Sequence, residues 1–334
     1  MPGNMTSRFD VVTLGETMLR LTPPALRRIE QTQTFDLEIG GSESNTSVGL
    51  ARMGLKVAWV SRLTDNALGR LIARGIATHG VDVSQVVWTR EHRVGVYFLE
   101  EGRPPRPSRV IYDRADSAFS HMTAADLPLG VFAPGGARLL HVTGITPALG
   151  PTTAETAWAA VDRAKQAGWQ VSLDLNYRSQ LWSPAEASAG LARFVSAADI
   201  VFAPLNDAQT IFGLAGSPEM VLAAMRERNP RAVMVMTLGA SGSLAHAPGM
   251  DAPIRQATYE AVEVGRVGGG DAFSAGFLYG WLSADGTEPR LPRALRYGAA
   301  VAALKYTVLG DLPLVDAAEV HQLAETGRTA RLIR

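Results

Sequence analysis

The 334 residues contain no cysteine, so neither a disulfide framework nor thiolate chemistry is available. Lysine is almost missing as well: Lys56, Lys165 and Lys305 stand beside a large arginine complement. That bias reads as genomic base composition, and it leaves no GxxxxGK[ST] and hence no Walker-type lysine. Net charge is absent, since 32 Lys and Arg balance 32 Asp and Glu, so no electrostatic case exists for nucleic acid or membrane as a partner. The six histidines are scattered, without HExxH or other zinc spacing. No apolar run is long enough to cross a bilayer, and the short polar start Met1–Asp10 is unlike a signal peptide, so a cytoplasmic protein is expected. What the chain does have is 46% hydrophobic residues, ample for a large core, and it is read as one domain over 1–334.

Against that background one stretch stands out. Val264-Gly265-Arg266-Val267 leads into Gly268-Gly269-Gly270-Asp271, and an apolar, small-residue-rich helix follows. Glycines let backbone N–H groups approach an anion, and the start of a helix stabilises negative charge. Asp271 has a bland reading as a helix N-cap. Beside an anion cradle it has a sharper one, because phosphoryl transfer to a hydroxyl needs phosphates held and a carboxylate to orient the hydroxyl and accept its proton. The same helix start is expected to lower the pKa of Asp271.

Along the chain, Val11-Val12-Thr13-Leu14 has a buried-strand pattern ending in Gly15-Glu16. Gly40-Gly41-Ser42-Glu43-Ser44-Asn45 then leads into a helix over Thr46–Met53 that Gly54 ends, and Asn45 could hydrogen-bond a polyol. Lys56–Leu63 reads as a strand and Leu68–Thr78 as an amphipathic helix. Arg93–Glu100 and Ser108–Arg114 alternate like half-buried strands without a helix between them. With part of Leu19–Ile39 they are expected to form a small sheet, over segments of about 19–39 and 93–114, serving as a lid or a dimerisation surface. Exposed edges on such a sheet favour a dimer or higher homo-oligomer.

Strand–helix alternation returns with strands at Arg138–Gly144, Val171–Leu175, Asp199–Ala203, Arg231–Leu238, Ser243–Ala247 and Ile254–Val264. Capping boxes at Thr152/Glu155 and Ser183/Glu186 open two of the helices, the second with Pro184 at the favoured first position. Asn206–Phe212, Asp271–Leu282, Pro292–Thr307 and Asp316–Glu325 supply others. Such alternation predicts a parallel sheet covered on both faces, with ligands outside the carboxyl ends of its strands. Asn176, Arg178, Asn206, Thr237, Gly239 and the Gly268–Asp271 loop all fall at or just past such ends, which argues for one shared site.

Gly40-Gly41-x3-Asn45-x6-Arg52-x-Gly54 resembles the first signature of the PfkB, or ribokinase-like, sugar kinases, and Gly268-Gly269-Gly270-Asp271-Ala272-Phe273 resembles their second. Order, spacing and the intervening lid-like strands match, so the resemblance covers nearly the whole chain. It implies a three-layer α/β/α sandwich with a small β lid, ATP and Mg²⁺ as cofactors, and Asp271 as catalytic base. Within the family the likeness is to 2-keto-3-deoxygluconate kinases, at Gly41, Tyr97, Tyr112-x-Arg114, Asn176-x-Arg178 and Leu309-Gly310-Asp311. It implies that Gly41, Tyr97, Tyr112 and Arg114 hold a sugar acid, to which Asn45 is added as the candidate polyol contact, that Asp311 touches it, and that Arg178 lies between it and the nucleotide phosphates. Gly239–Gly242 and Gly268–Gly270, with Asn176, Asn206 and Thr237 at neighbouring strand ends, are assigned to ATP. Independently, two arginines at site positions favour an acidic acceptor, because a guanidinium offers a planar fork to a carboxylate.

Two departures qualify the likeness. Gly265 stands where relatives carry an aspartate that helps hold a monovalent cation, and Gln209 stands where Asn-x-x-Glu would help organise Mg²⁺. The metal ligands are therefore left unassigned; Asp207 could substitute, or the nucleotide could carry the ion. Three rival functions follow: a kinase of a neutral sugar such as fructose or ribose, a regulatory sugar-acid-binding protein without catalysis, and a dinucleotide-dependent oxidoreductase. The last lacks a GxGxxG after the first strand.

Overall fold

A computed structural model describes residues 7–328. Its strands in chain order are β1 (Val11–Leu14), β2 (Met18–Thr22), β3 (Asp36–Gly40), β4 (Val57–Thr64), β5 (Val86–Thr89), β6 (Val96–Glu100) and β7 (Arg109–Asp113). They continue with β8 (Leu139–Thr143), β9 (Gln170–Asp174), β10 (Ile200–Phe202), β11 (Val233–Thr237), β12 (Ser243–His246) and β13 (Ile254–Gln256). The helices are α1 (Ser42–Arg52), α2 (Ala67–Ala77), α3 (Ile145–Ala148), α4 (Pro151–Gln166) and α5 (Pro184–Ala197). After them come α6 (Leu205–Phe212), α7 (Pro218–Arg228), α8 (Gly269–Leu282), α9 (Arg290–Tyr306) and α10 (Ala317–Thr326).

The main sheet has nine strands in the order β13-β12-β11-β10-β9-β8-β1-β4-β5. From β11 to β5 every pairing is parallel, and only the β11–β12 and β12–β13 pairings are antiparallel. Alternate residues of each strand feed two separate cores. Val11, Val57, Trp59, Ile200 and Phe202 pack with α1, α2, α8, α9 and α10. Val12, Leu14, Ala58, Val60 and Val201 pack with α4, α5, α6 and α7 on the other face. Burial on both faces is why these strands read as continuous apolar runs, and the three-layer α/β/α expectation holds.

A second, four-stranded sheet has the order β3-β2-β6-β7. Its strands alternate, as the sequence suggested. In β7 Arg109, Ile111 and Asp113 are exposed, whereas Val110 and Tyr112 turn the other way. Tyr112 is paired in register with Tyr97, and Val110 with Leu99. One row across this sheet runs Glu38, Arg20, Tyr97, Tyr112.

Several local expectations needed correction. The Ser183/Glu186 capping box forms, with Pro184 first in its helix. The Thr152/Glu155 box does not: Pro151, with its fixed φ, is the first residue of α4, Gly150 is the N-cap two residues before Thr152, and Glu155 pairs instead with Arg193. The strand read over Ile254–Val264 is confined to Ile254–Gln256, because β13 is an edge that has only β12 to pair with. Helix α1 begins at Ser42, four residues before the expected start, and α7 (Pro218–Arg228) was missed altogether.

Candidate active site

Two clefts meet at the N-terminus of α8. The first, of about 640 Å³, lies between the small sheet and the carboxyl ends of the main strands, and its walls include Gly41, Asn45, Tyr97, Tyr112, Arg114, Arg178, Gly268, Asp271 and Asp311. The second, of about 690 Å³, is walled by Thr237, Gly239, Gly242, Gly269, Gly270, Phe273, Ala299, Ala303 and Tyr306. All the residues assigned to a sugar acid thus line one cleft, and most of those assigned to a nucleotide line the other. Asn176 and Asn206 line neither. Asn176, at φ 40°, is buried behind the first cleft, and Asn206 is exposed on α6.

Asp271 sits at the junction. The bland N-cap reading is wrong, because Gly268 caps the helix and Asp271 is its third residue. Gly268 adopts φ 80°, and a side chain there would run into the Asp311 carbonyl, so only glycine can let the two loops approach. In the first turn the Gly269 N–H bonds Arg266 O at 3.2 Å, while the Gly270 and Asp271 N–H groups have no backbone acceptor among the described residues. These are the donors that a helix start presents to an anion.

The Asp271 carboxylate is fixed by two donors from the first glycine motif. Ser42 Oγ donates to one oxygen at 2.6 Å and Asn45 Nδ2 to the other at 2.7 Å. Behind them Asn176 Nδ2 donates to Ser42 Oγ at 2.8 Å, so Asn176 acts through Ser42. The two glycine motifs, 229 and 226 residues apart at these contacts, form one constellation. The expected depression of the Asp271 pKa is not found: burial pushes it above the ordinary carboxylate value, against the opposing pull of Ser42, Asn45 and Arg178. Desolvation of a carboxylate that is 9% exposed outweighs the helix start.

Two further buried carboxylates support this floor and were not picked out from the sequence. Asp174, at the end of β9, accepts the Asn176 N–H at 3.1 Å, and burial together with Asp271 and Asp207 pushes its pKa up to about 8. Glu43 lines the first cleft. It accepts bonds from Thr143 N, Thr143 Oγ1 and Thr146 Oγ1, and burial raises its pKa to about 7.

The two arginines differ in kind. Arg114 is already engaged, its Nε donating to Glu16 at 3.0 Å and its Nη2 reaching the same carboxylate oxygen. Its guanidinium is held by a buried carboxylate and lies beside Tyr112 on the wall of the cleft. Arg178 is exposed, forms no ion pair among the described residues, and donates only to the Tyr177 carbonyl. Glu186, at the start of the next helix, is spent on Ser183. Asp311 is gripped by Arg20 and by the Tyr97 hydroxyl, and Arg20 also pairs with Glu38. Arg20 carries no motif that marks it, and its partner lies 291 residues away.

The donor set around the site does not form a metal cage. Among the described residues no group of three or more His, Asp, Glu or Cys could hold an ion. Asp207, weighed as a substitute for the missing glutamate, accepts the Tyr177 N–H at 2.9 Å and so fixes the turn that carries Arg178. Nor, among the described residues, is any helix long and apolar enough to cross a membrane.

Comparison with known proteins agrees with this geometry. Residues 8–316 match the pfkB family carbohydrate kinase. The chain is 38% identical to the 2-dehydro-3-deoxygalactonokinase of Haloferax volcanii, covering 95% of this chain and 97% of that protein. It is 31% identical to the 5-dehydro-2-deoxygluconokinase of Shouchella clausii, covering 89% of each. Among solved structures, 2-dehydro-3-deoxygluconokinase from Thermotoga maritima superposes with a TM-score of 0.87 at 33% identity, covering 95% of this chain and 98% of that one.

Proposed function

Since the chain belongs to the pfkB family of carbohydrate kinases, we propose that it phosphorylates a primary hydroxyl of a 2-keto-3-deoxy sugar acid, of the gluconate or galactonate series, at the expense of ATP. The observation that carries this reading is the Asp271 carboxylate, clamped by Ser42 and Asn45 where the two clefts meet. The names of the Haloferax and Thermotoga proteins support the substrate class. The two arginines on the first cleft support an acidic acceptor over a neutral sugar.

The glycine cradle fits a nucleotide. ATP would lie with its base against Phe273, Ala299, Ala303 and Tyr306 and its phosphates toward the free Gly270 and Asp271 N–H groups, and would supply the phosphoryl group. Mg²⁺ fits as an ion carried on those phosphates, because it keeps several waters and needs no protein cage. In this arrangement Asp271 orients the acceptor hydroxyl and takes its proton. Its raised pKa suits it to that task better than the expected depressed one. Arg178, unpaired at the mouth, is free to steady charge between acceptor and phosphates. The small sheet, bringing Tyr97 and Tyr112 over the cleft, acts as the lid that keeps water out.

Asp271→Asn keeps the shape and removes the base. ADP release should fall by about 10²- to 10⁴-fold, the usual contribution of a general base, with ATP affinity retained. Turnover near that of the parent would remove Asp271 from this role.

A further inference from the structure

One buried charge takes no part in the chemistry above. Lys305, in the last turn of α9, is fully buried, yet among the described residues its ammonium donates to a single acceptor, the Val308 carbonyl, at 3.2 Å. A lysine ammonium has three donors and is strongly hydrated, so such burial needs an electrostatic reason. The charges it feels are Asp311, Glu38 and Asp271 on the favourable side and Arg20 on the other, and burial pulls its pKa below the ordinary lysine value.

The surroundings supply that reason. Lys305 sits beneath the turn from Tyr306 to Asp311, and this turn is fastened to the loop that carries the anion cradle. The Val264 and Gly265 N–H groups bond Tyr306 O at 2.7 and 3.3 Å. A side chain at Gly265 would come within 3.2 Å of Val308 O, the carbonyl that Lys305 holds. Without the ammonium, the carbonyl end of α9 and the Val308 and Asp311 carbonyls would present partial negative charge behind the glycines that must receive an anion.

We infer that Lys305 is a positioning residue whose ammonium serves as a built-in monovalent cation. It holds, through Val308, the Tyr306–Asp311 turn to which the Val264 and Gly265 N–H groups are fastened, and it offsets the negative charge behind the phosphate cradle. Gly265, which brings no carboxylate of its own to this place, is its counterpart. Turnover therefore needs no potassium or sodium from solution. The inference rests on the kinase activity and is separable from it: a parent protein that releases no ADP with any acceptor sinks the kinase reading, whereas the results below concern an active parent.

The first test needs no variant. ADP release by the parent protein is compared at equal ionic strength in potassium, sodium and tetramethylammonium chloride. Rates agreeing within about twofold are expected, and strong activation by potassium overturns the inference. The second test uses Lys305→Ala. Turnover should fall by about tenfold or more, and ammonium or ethylammonium chloride should restore several-fold of it, while tetramethylammonium, too large for the space, does not. A variant that is slow, less thermostable and unresponsive to ammonium makes Lys305 a structural lysine only and overturns the inference. So does Lys305→Met, close to lysine in volume, if it turns over like the parent.

Discussion

Asp174 offers a quantitative check on the electrostatics of the floor. Its carboxyl is buried beside Asp271 and Asp207, and its pKa in the folded chain is raised to about 8. In the unfolded chain an aspartate titrates near 3.9. Between those values the folded protein keeps a proton that the unfolded chain has released. The favourable contribution is therefore complete below about pH 4 and is lost as pH rises through about 8. One proton corresponds to about 1.4 kcal/mol per pH unit. From about pH 6 to about 7.5 the parent should lose roughly 2 kcal/mol through this group, or about half that if the proton is shared with Asp271. Asp174→Asn resembles the protonated form and can still accept the Asn176 N–H through its carbonyl, so it lacks this slope. Thermal unfolding of both proteins at the two pH values gives the double difference, in which every other titrating group cancels. The variant should gain about 2–4 °C on the parent as pH rises. Parallel shifts would show that Asp174 is ionised in the folded state and would refute a pKa raised by burial beside Asp271 and Asp207.

Two further substitutions probe the site from different sides. Ser42→Ala removes one charge-assisted bond to Asp271, worth about 1.5–3 kcal/mol, so kcat should drop by roughly tenfold to a hundredfold with little change in KM for ATP; unchanged kcat would mean that Ser42 does not orient the base. The arginines should separate: Arg178→Met, at an exposed position, should leave stability within about 0.5 kcal/mol while raising KM for the acceptor or ATP. Arg114→Met should raise acceptor KM and also cost about 1–3 kcal/mol in urea unfolding, because Glu16 is left buried without its partner. Equal stability losses in the two variants would contradict their assigned environments.

How much of this could be read from the residues depended on range. The two glycine motifs are local, and their chemistry of free N–H groups and a nearby carboxylate is written in consecutive letters, so the Gly268–Asp271 loop and Asn45 could be singled out as candidates, which the structure brings together. The alternation of Tyr97 and Tyr112 against their exposed neighbours likewise revealed the small sheet. Ser42, Arg20, Glu16 and Lys305 were missed because their significance lies in pairings across the chain: Ser42 with Asp271, Arg20 with Asp311, Glu16 with Arg114. No periodicity marks a lone charged residue as buried. The direction of the Asp271 pKa was misjudged for a related reason, since the helix start is visible in sequence and the desolvation that outweighs it is not. Asn206 looked promising from its place at a strand end, but a residue at that level can face outward, and it does.

The acceptor preference tests the central claim most directly. ADP release with Mg-ATP is followed for 2-keto-3-deoxygluconate, its galactonate epimer, a 5-keto-2-deoxygluconate, fructose and ribose. The arrangement of Arg114, Arg178 and Asp271 around one cleft predicts turnover with the 2-keto-3-deoxy acids and little with the neutral sugars. Efficient phosphorylation of fructose or ribose, with the keto-deoxy acids inert, would contradict it.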